Sequence, residues 1–409
     1  MKLIKLGALA AVAALAFTAC SSSGTSGGDK GTIEIWSSLP RQGSSKAQTD
    51  TIVNAIKLAL DEAGNKAGGY TIVYKDVDDS TAAAGKWDEA TEIKNANDAV
   101  ANDKLVAYIG TFNSGAAKLS IPILCAKGIV MVSPANTYPG LTKAGKGTAD
   151  EPDKYYPNGC TRNYTRVVPA DDLQGHAGAV WAAKLGLKNV YVLDDTELYG
   201  KGIADVFNND AAAAGLTVLG RDGIDGKATD YKALAEKIKA TNPDLVYYGG
   251  ITQNNAGQLY RDLRDAMPTV KLMGPDGIYE SEFLQAAGAA AEGSYLTFGG
   301  VPPDKLTGKG AEFFKAYTAK YPDAPAEAYT AYGYEAVKVI LAAIERASKT
   351  NPADTLALRA ALLKEVFATK DYAGILGTWS FSAEGDTSLT DMSGLVVKDG
   401  AFTFSEIIK

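Results

Sequence analysis

The sequence predicts an α/β protein made of two doubly wound, parallel-sheet lobes. Three observations lead there. Short β-rich apolar runs alternate with amphipathic helical segments along most of the chain. The alternation breaks at an irregular stretch, residues 138–163, and then starts again. With 409 residues, 46% hydrophobic and 22% charged, the chain is long enough to bury two cores. Because strand–helix–strand units close by right-handed crossovers, each alternating series builds a parallel sheet with helices on both faces.

The first series opens with a strand over 32–36 and a helix over 49–63, where Ile52, Ile56, Leu60 and Ala63 share one face. A strand over 70–76 and a helix over 87–102 follow. Then comes the stretch VAYIGTFNSGAAKLSIPILCAKGIVMVSPANT, with a strand at 106–110, a helix at 116–127 and a second strand at 129–133. In a parallel sheet, loops leaving the carboxyl ends of strands line the ligand crevice, so Ser114 and Thr137 are expected to face one site. The first of these loops also feeds a helix N-terminus, where free amides and the positive dipole end favour a carboxylate.

Residues 138–163, rich in Gly, Pro, Lys and Asp, are expected to form a long surface insertion. A strand over 164–169 begins the second series, with further strands at 189–194, 217–221, 245–249 and 271–273. Its helices fall at 171–185, 200–214, 230–241, 254–267 and 280–289. The tail reads as a strand at 293–298, helices at 308–321, 328–348 and 355–366, and strands over 377–381 and 395–404 broken by Glu384-Gly385-Asp386.

The N-terminus has a different character. Lys2 and Lys5 precede an apolar run from Leu6 to Phe17, and Phe17-Thr18-Ala19-Cys20 ends in cysteine. This resembles a bacterial lipoprotein signal, which implies a signal peptide at 1–19, lipid modification of Cys20, a tether over 20–30 and an extracytoplasmic location, periplasmic or on the outer face of the cell membrane. Removing the signal removes two lysines and no acid, taking the net charge from −7 to −9. An acidic surface argues against nucleic acid as a partner. With Cys20 used by the lipid, Cys125 and Cys160 remain as an even pair in an oxidising compartment and are expected to form a disulfide that staples the insertion to the core.

Ser114, Thr137, Tyr199, Ile251 and Asp276 each fall just after the carboxyl end of an expected parallel strand, two in the first sheet and three in the second. Hydroxyls from one lobe facing a phenol and a carboxylate from the other suit a zwitterion. Other chemistry has little support. His176, the one histidine, sits in an expected helix far from any Gly-x-Ser-x-Gly elbow, which reads as a surface position. Cys/His clusters for zinc are missing, and no cofactor is expected. Asp76, Asp78 and Asp79 lack EF-hand spacing and read as a solvated strand end. Tyr199-Gly200-Lys201-Gly202 reads as a tight turn into a helix. Trp36 suits either the cleft or the core, and Tyr247 and Tyr248 should point to opposite faces of their strand.

IGTFNS at Ile109 to Ser114, VSPANT at Val132 to Thr137, ELYGKG at Glu197 to Gly202, LVYYGG at Leu245 to Gly250 and LMGPDG at Leu272 to Gly277 together resemble the type I periplasmic solute-binding proteins of ABC transporters, close to the leucine/isoleucine/valine binders. The resemblance implies two lobes crossed three times by the chain, with 31–168 and 300–389 in one and 169–299 and 390–409 in the other. It implies that Ser114 binds a ligand carboxylate, that Ala135 and Thr137 supply backbone and hydroxyl contacts, that Tyr199 covers the ligand, and that Asp276, where many relatives have Glu, takes the ammonium. Ile251 stands where the branched-chain binders have a tyrosine, which alters the side-chain pocket. The expectation is a monomeric binding protein, not an enzyme, that carries a small amino acid, branched-chain type favoured, to an ABC permease, and meets the membrane only through its N-terminal lipid. A receptor for an amide, urea or aromatic acid, or a ligand-sensing regulatory domain, is the alternative.

Overall fold

The computed structural model describes residues 30–409. The expected signal peptide, the lipid-bearing Cys20 and the tether up to residue 29 lie outside the described residues.

The first sheet is assembled around β1 (Thr32–Leu39), which pairs in parallel with β2 (Tyr70–Asp78) on one side and β3 (Leu105–Gly110) on the other. Beyond β3 come β4 (Val130–Ser133) and β5 (Tyr164–Arg166), also parallel, and a two-residue strand, Lys66–Ala67, closes the β2 edge antiparallel. Every residue of β3 is buried. That is expected of a central parallel strand covered by helices on both faces. The covering helices include α1 (Lys46–Glu62), α2 (Glu89–Ala101) and α3 (Ser114–Cys125).

The second sheet has the order β7 (Thr217–Gly223), β6 (Asn189–Asp194), β8 (Leu245–Gly249), β9 (Lys271–Gly274), β10 (Tyr295–Gly299), β11 (Met392–Lys398), β12 (Ala401–Ile408). Its pairings from β7 to β10 are parallel. The last two are antiparallel, because the C-terminal segment returns as a hairpin. Helices α4 (Asp171–Lys184), α5 (Leu198–Ala211), α6 (Lys232–Lys239), α7 (Ala256–Ala266) and α8 (Ser281–Ala287) belong to this half. After β10 the chain returns to the first half as α9 (Lys309–Lys320), α10 (Thr330–Ser348) and α11 (Thr355–Phe367). There α10 packs on α1, and α11 packs on α10 and β3. The chain thus passes between the sheets three times, after β5, after β10 and before β11.

Three expectations need correction. The expected strand over 395–404 hides a hairpin turn: Asp399 (φ 51°) and Gly400 (φ 71°) both take the left-handed conformation that a two-residue type I′ turn requires. Residues 138–163 are more than a surface loop, since Tyr138, Leu141, Tyr155 and Tyr156 are buried in one cluster with Trp36 and Tyr108. The hydroxyls of Tyr138 and Tyr155 donate to Glu151 at 2.7 and 2.6 Å, which lets the acid be buried among them. The Cys125–Cys160 disulfide, with Cα atoms 5.9 Å apart, ties this segment to α3 as expected. Finally, the acidic run after β2 is not solvated throughout. Asp76 pairs with Arg41, whereas Asp79 is completely buried.

Trp36 belongs to the core. Tyr247 and Tyr248 take opposite faces, yet both are buried, Tyr247 stacked on Phe207 and Tyr248 packed edge-on to Tyr260. His176 is exposed on α4, its Nδ1 2.8 Å from Asp210.

Candidate functional site

The loops at the carboxyl ends of both sheets meet at one cavity, lined by Phe112, Asn113, Ser114, Ala135, Thr137, Tyr199, Ile251, Asp276, Gly277 and Tyr329. All six expected ligand residues are there. The free volume is only ≈ 20 Å³, room for about one water molecule. This is a contracted site, and a ligand of amino-acid size enters it only if the lobes or the lining side chains move apart.

The first wall comes from the loops after β3 and β4. Asn113 precedes α3 with extended backbone and does not cap it with its side chain, so the first amides of the helix stay available to an anion. Ser114 is the first helical residue, and its Oγ accepts from the Tyr138 amide at 3.3 Å. Ser133 fixes the second loop. Its Oγ donates to the Thr111 carbonyl at 2.9 Å and accepts the amides of Ala135 and Asn136. The Ala135 amide is therefore spent, and a backbone contact from Ala135 to a ligand runs through its carbonyl. Arg166, completely buried, locks the second loop from behind: Nε donates to Asp386 at 2.7 Å, Nη1 to the Tyr138 carbonyl at 2.9 Å, and Nη2 to the Thr142 hydroxyl.

The second wall is organised by Asp276, which opens a 3₁₀ turn just after β9. It is buried and accepts three hydrogen bonds, from Tyr199 Oη and Gln174 Nε2 at 2.7 Å each on Oδ1, and from Tyr329 Oη on Oδ2. A carboxylate offers about four lone-pair sites, so one on Oδ2 remains open to a further donor. Burial holds the Asp276 carboxyl above the usual carboxylate range, against the pull of these three donors. Tyr199 Oη also accepts the Gly277 amide at 2.9 Å. Gly277 cannot carry a side chain, since a Cβ there would lie 2.5 Å from the Gly250 carbonyl. Ile251 packs with Tyr199 and Ile203, and its amide donates to Asp195 at 3.1 Å.

Contacts across the cleft accompany the cavity. Tyr329, just before α10, reaches Asp276 from the first half. Gln48 of α1 donates to Glu280 at 3.1 Å, Lys86 pairs with Glu197, and Lys143 pairs with Asp172 at 2.7 Å. On α5, Gly202 lets the Tyr138 ring lie where a Cβ would be, 2.5 Å from its Cδ2. The glycines of Tyr199-Gly200-Lys201-Gly202 thus serve close approach within the helix rather than a turn before it.

This architecture matches known proteins along nearly its whole length. The profile of the periplasmic binding protein family matches residues 32–401. The chain belongs to that family. Among relatives, the Leu/Ile/Val-binding protein BraC3 of Rhizobium johnstonii is 31% identical over 328 residues, 80% of this chain and 82% of the relative. Leu/Ile/Val-binding protein homolog 3 of Brucella melitensis is 30% identical over 360 residues, 87% of this chain and 89% of that one. The crystal structure of a leucine-binding protein, LivK, from Thermotoga maritima superposes with a TM-score of 0.79 at 25% identity, covering 92% of this chain and 99% of that one. LivJ from Streptococcus pneumoniae in complex with isoleucine, 23% identical, superposes at 0.76 over 92% of this chain and 99% of that one. The periplasmic binding protein is thus a two-lobed, type I, solute-binding member of the family and not an enzyme.

Reasoning from sequence missed six members of the site. Phe112, Asn113, Gly277 and Tyr329 line the cavity, Gln174 holds Asp276, and Arg166 braces the first wall. Arg166 carries a readable signal, an arginine at a strand end directly followed by Val167 and Val168; nothing in the spacing around Tyr329 sets it apart from Tyr332 and Tyr334.

Proposed function

We propose that this periplasmic binding protein captures a small α-amino acid, of the branched-chain type that its relatives' names record, and delivers it to an ABC permease. The single observation that carries this reading is the pairing of walls. Ser114, Thr137 and the start of α3 face Asp276 and Tyr199 across one cavity, and this is complementary to a carboxylate at one end and an ammonium at the other. An ammonium would add the fourth donor on Asp276 and the positive charge that its three present donors lack. Ile251 and Phe112 supply apolar surface against which a short side chain would pack once the cavity opens.

The rest of the proposal follows from the chain's N-terminus and the family. The protein is read as extracytoplasmic, anchored through a lipid on Cys20, monomeric, and divided near residues 168, 299 and 389. The lobes close around the ligand because groups from both contact it. One observation favours a second reading. Asp276 already accepts three neutral donors, so it can be satisfied without a cation, as a receptor for an amide, urea or aromatic acid would require. Mass spectrometry of ligand retained on the purified protein, followed by a thermal-shift panel, separates the two. Leucine, isoleucine or valine should raise the melting temperature while their hydroxy-acid analogues do not. A panel in which only amides or aromatic acids stabilise the protein replaces the first reading with the second.

A further inference from the structure

Around the amino end of the cavity the buried groups hold more acceptors than donors. Gln174 Oε1 and both carboxylate oxygens of Asp171 are enclosed without a well-formed hydrogen bond, against one orphaned donor, the Tyr247 hydroxyl. Leaving such a group unpaired costs roughly 1–3 kcal/mol, and more for a charge. Asp171 has the most at stake, because it is completely buried.

Its position is fixed from two sides. Asp171 is the first residue of α4, and its amide donates to the Thr137 carbonyl at 2.8 Å, which sets it against the second loop of the first wall. One turn later on the same helix, Gln174 reaches Asp276. The helix start therefore brings a second carboxylate up to the first, and the two repel. The groups facing the pair are few. Tyr332 comes from α10 and Tyr329 from just before it, Arg166 from β5, Tyr199 from α5, Tyr247 from β8 and Asp172 from α4 itself. Arg166 is the only cation among them, and it is already matched by Asp386. Two buried acids thus lie within electrostatic reach of each other, with no uncommitted positive charge among the groups that face them. Burial and repulsion from Asp276 push Asp171 well above the usual carboxylate range, against the pull of the Thr137 hydroxyl and Arg166.

We propose that Asp171 and Asp276 form a two-carboxylate centre that keeps one proton in the ligand-free protein, and that a ligand ammonium expels this proton on binding. The inference rests on the amino-acid reading given above. The balance is simple: the carboxylic O–H breaks, its proton passes to solvent, and the bound ammonium leaves two carboxylates around one positive charge. Asp171 thereby becomes a specificity residue, acting through Asp276. It makes the site select full positive charge over neutral hydrogen-bond donors, which cannot displace a proton. Linkage fixes the sign. Binding releases a proton, so affinity should rise about tenfold per pH unit while the free pair is protonated and the bound pair is not, and level off above that range.

Calorimetry of the whole mature protein with L-isoleucine, near neutral pH in buffers of different ionisation enthalpy, counts the protons directly. The wild type should release about one proton per ligand, and Asp171→Asn, with Asp276 the sole acid, close to none. Equal release from the two proteins overturns the inference. If Asp171→Asn does not fold, the pH dependence of the wild-type Kd decides, and a Kd that does not vary with pH overturns it. Isoleucine binding without proton release leaves the amino-acid receptor standing and removes only the two-acid centre. If no amino acid binds and an amide does, both fall.

Discussion

Two of the buried acid pairs among the described residues lead different lives. Asp79 and Glu92 sit inside the first lobe. Glu92 accepts from Ser38 at 2.5 Å, from Tyr108 at 3.1 Å and from Ser120, all on neighbouring elements of one packed unit. Burial raises the Glu92 carboxyl, and burial with repulsion from Glu92 raises Asp79 further. Asp171 and Asp276 are equally buried, but the second lobe that carries them shares their donors with the first, through Tyr329 and Thr137. An acid enclosed by one lobe changes its surroundings only when the protein unfolds, so it contributes to the stability and uniqueness of that lobe. One enclosed between lobes changes its surroundings whenever they part, so a ligand can act on it.

The largest expected effect separates the pairs by function. Asp276→Ala should fold and lose affinity for its amino acid by about a hundredfold or more, the equivalent of roughly 3 to 5 kcal/mol for a charge pair that loses one partner. Titration calorimetry that found the variant within about threefold of wild type, a difference of roughly 0.7 kcal/mol, would remove Asp276 from the ligand contacts.

Next in size is the staple of the insertion. Replacing Cys125 and Cys160 with serine opens the loop they close and should lower stability by up to about 4 kcal/mol, measured by denaturant unfolding, with little change in ligand affinity. A large loss of affinity would mean that the disulfide holds the cavity in shape through the contacts of Tyr138 and Thr142 with the first wall.

Glu92→Ala is the mirror of the first variant. It strands the hydroxyls of Ser38, Tyr108 and Ser120 and should cost about 3 kcal/mol of stability, while any folded protein binds ligand as the wild type does. Glu92→Gln, keeping shape and a neutral group, should recover most of that loss. Stability unchanged in the alanine variant would break the contrast between the pairs.

The last comparison concerns an acid of intermediate character. Glu280 accepts from Gln48 across the cleft and from Gln253 within its own lobe, and burial pushes its carboxyl up to about 8. A raised acid stabilises the fold in its neutral form, a contribution complete below its unfolded value of about 4.3 and lost as pH rises through about 8. The melting temperature should therefore decline across that window more steeply in the wild type than in Glu280→Gln. Identical slopes would show that Glu280 is already hydrated in the native protein.

Much of this was legible in the sequence. The strands Asn189–Asp194 and Leu245–Gly249 lie where their apolar runs put them, and all six expected ligand residues line one cavity, since strand ends and the loops after them follow from pattern and crossover rules. What escaped depends on contacts distant in the chain. Tyr329 is 53 residues from Asp276 and Gln174 is 102 from it, and no local spacing encodes such a meeting. The burial of Asp79 escaped for the same reason: a row of acids after a strand looks solvated until α2 is laid over it. The hairpin at Asp399-Gly400 was different, for its Asp-Gly signal was present and the strand was drawn through it.

Arg166 carries a consequence for biogenesis. Its partner Asp386 lies 220 residues further along the chain, close to the C-terminus, and an unpaired guanidinium in that position is strongly unfavourable. A polypeptide that emerges N-terminus first cannot pair Arg166 until it has been made as far as Asp386, and α10, which covers α1, also follows long after its partner. Until then the first lobe lacks the counter-ion of its buried guanidinium. Nascent chains ending before Asp386 should therefore be digested by protease throughout residues 30–166, whereas full-length protein resists; early resistance of the truncated chains would show that the first lobe folds without its distant counter-ion.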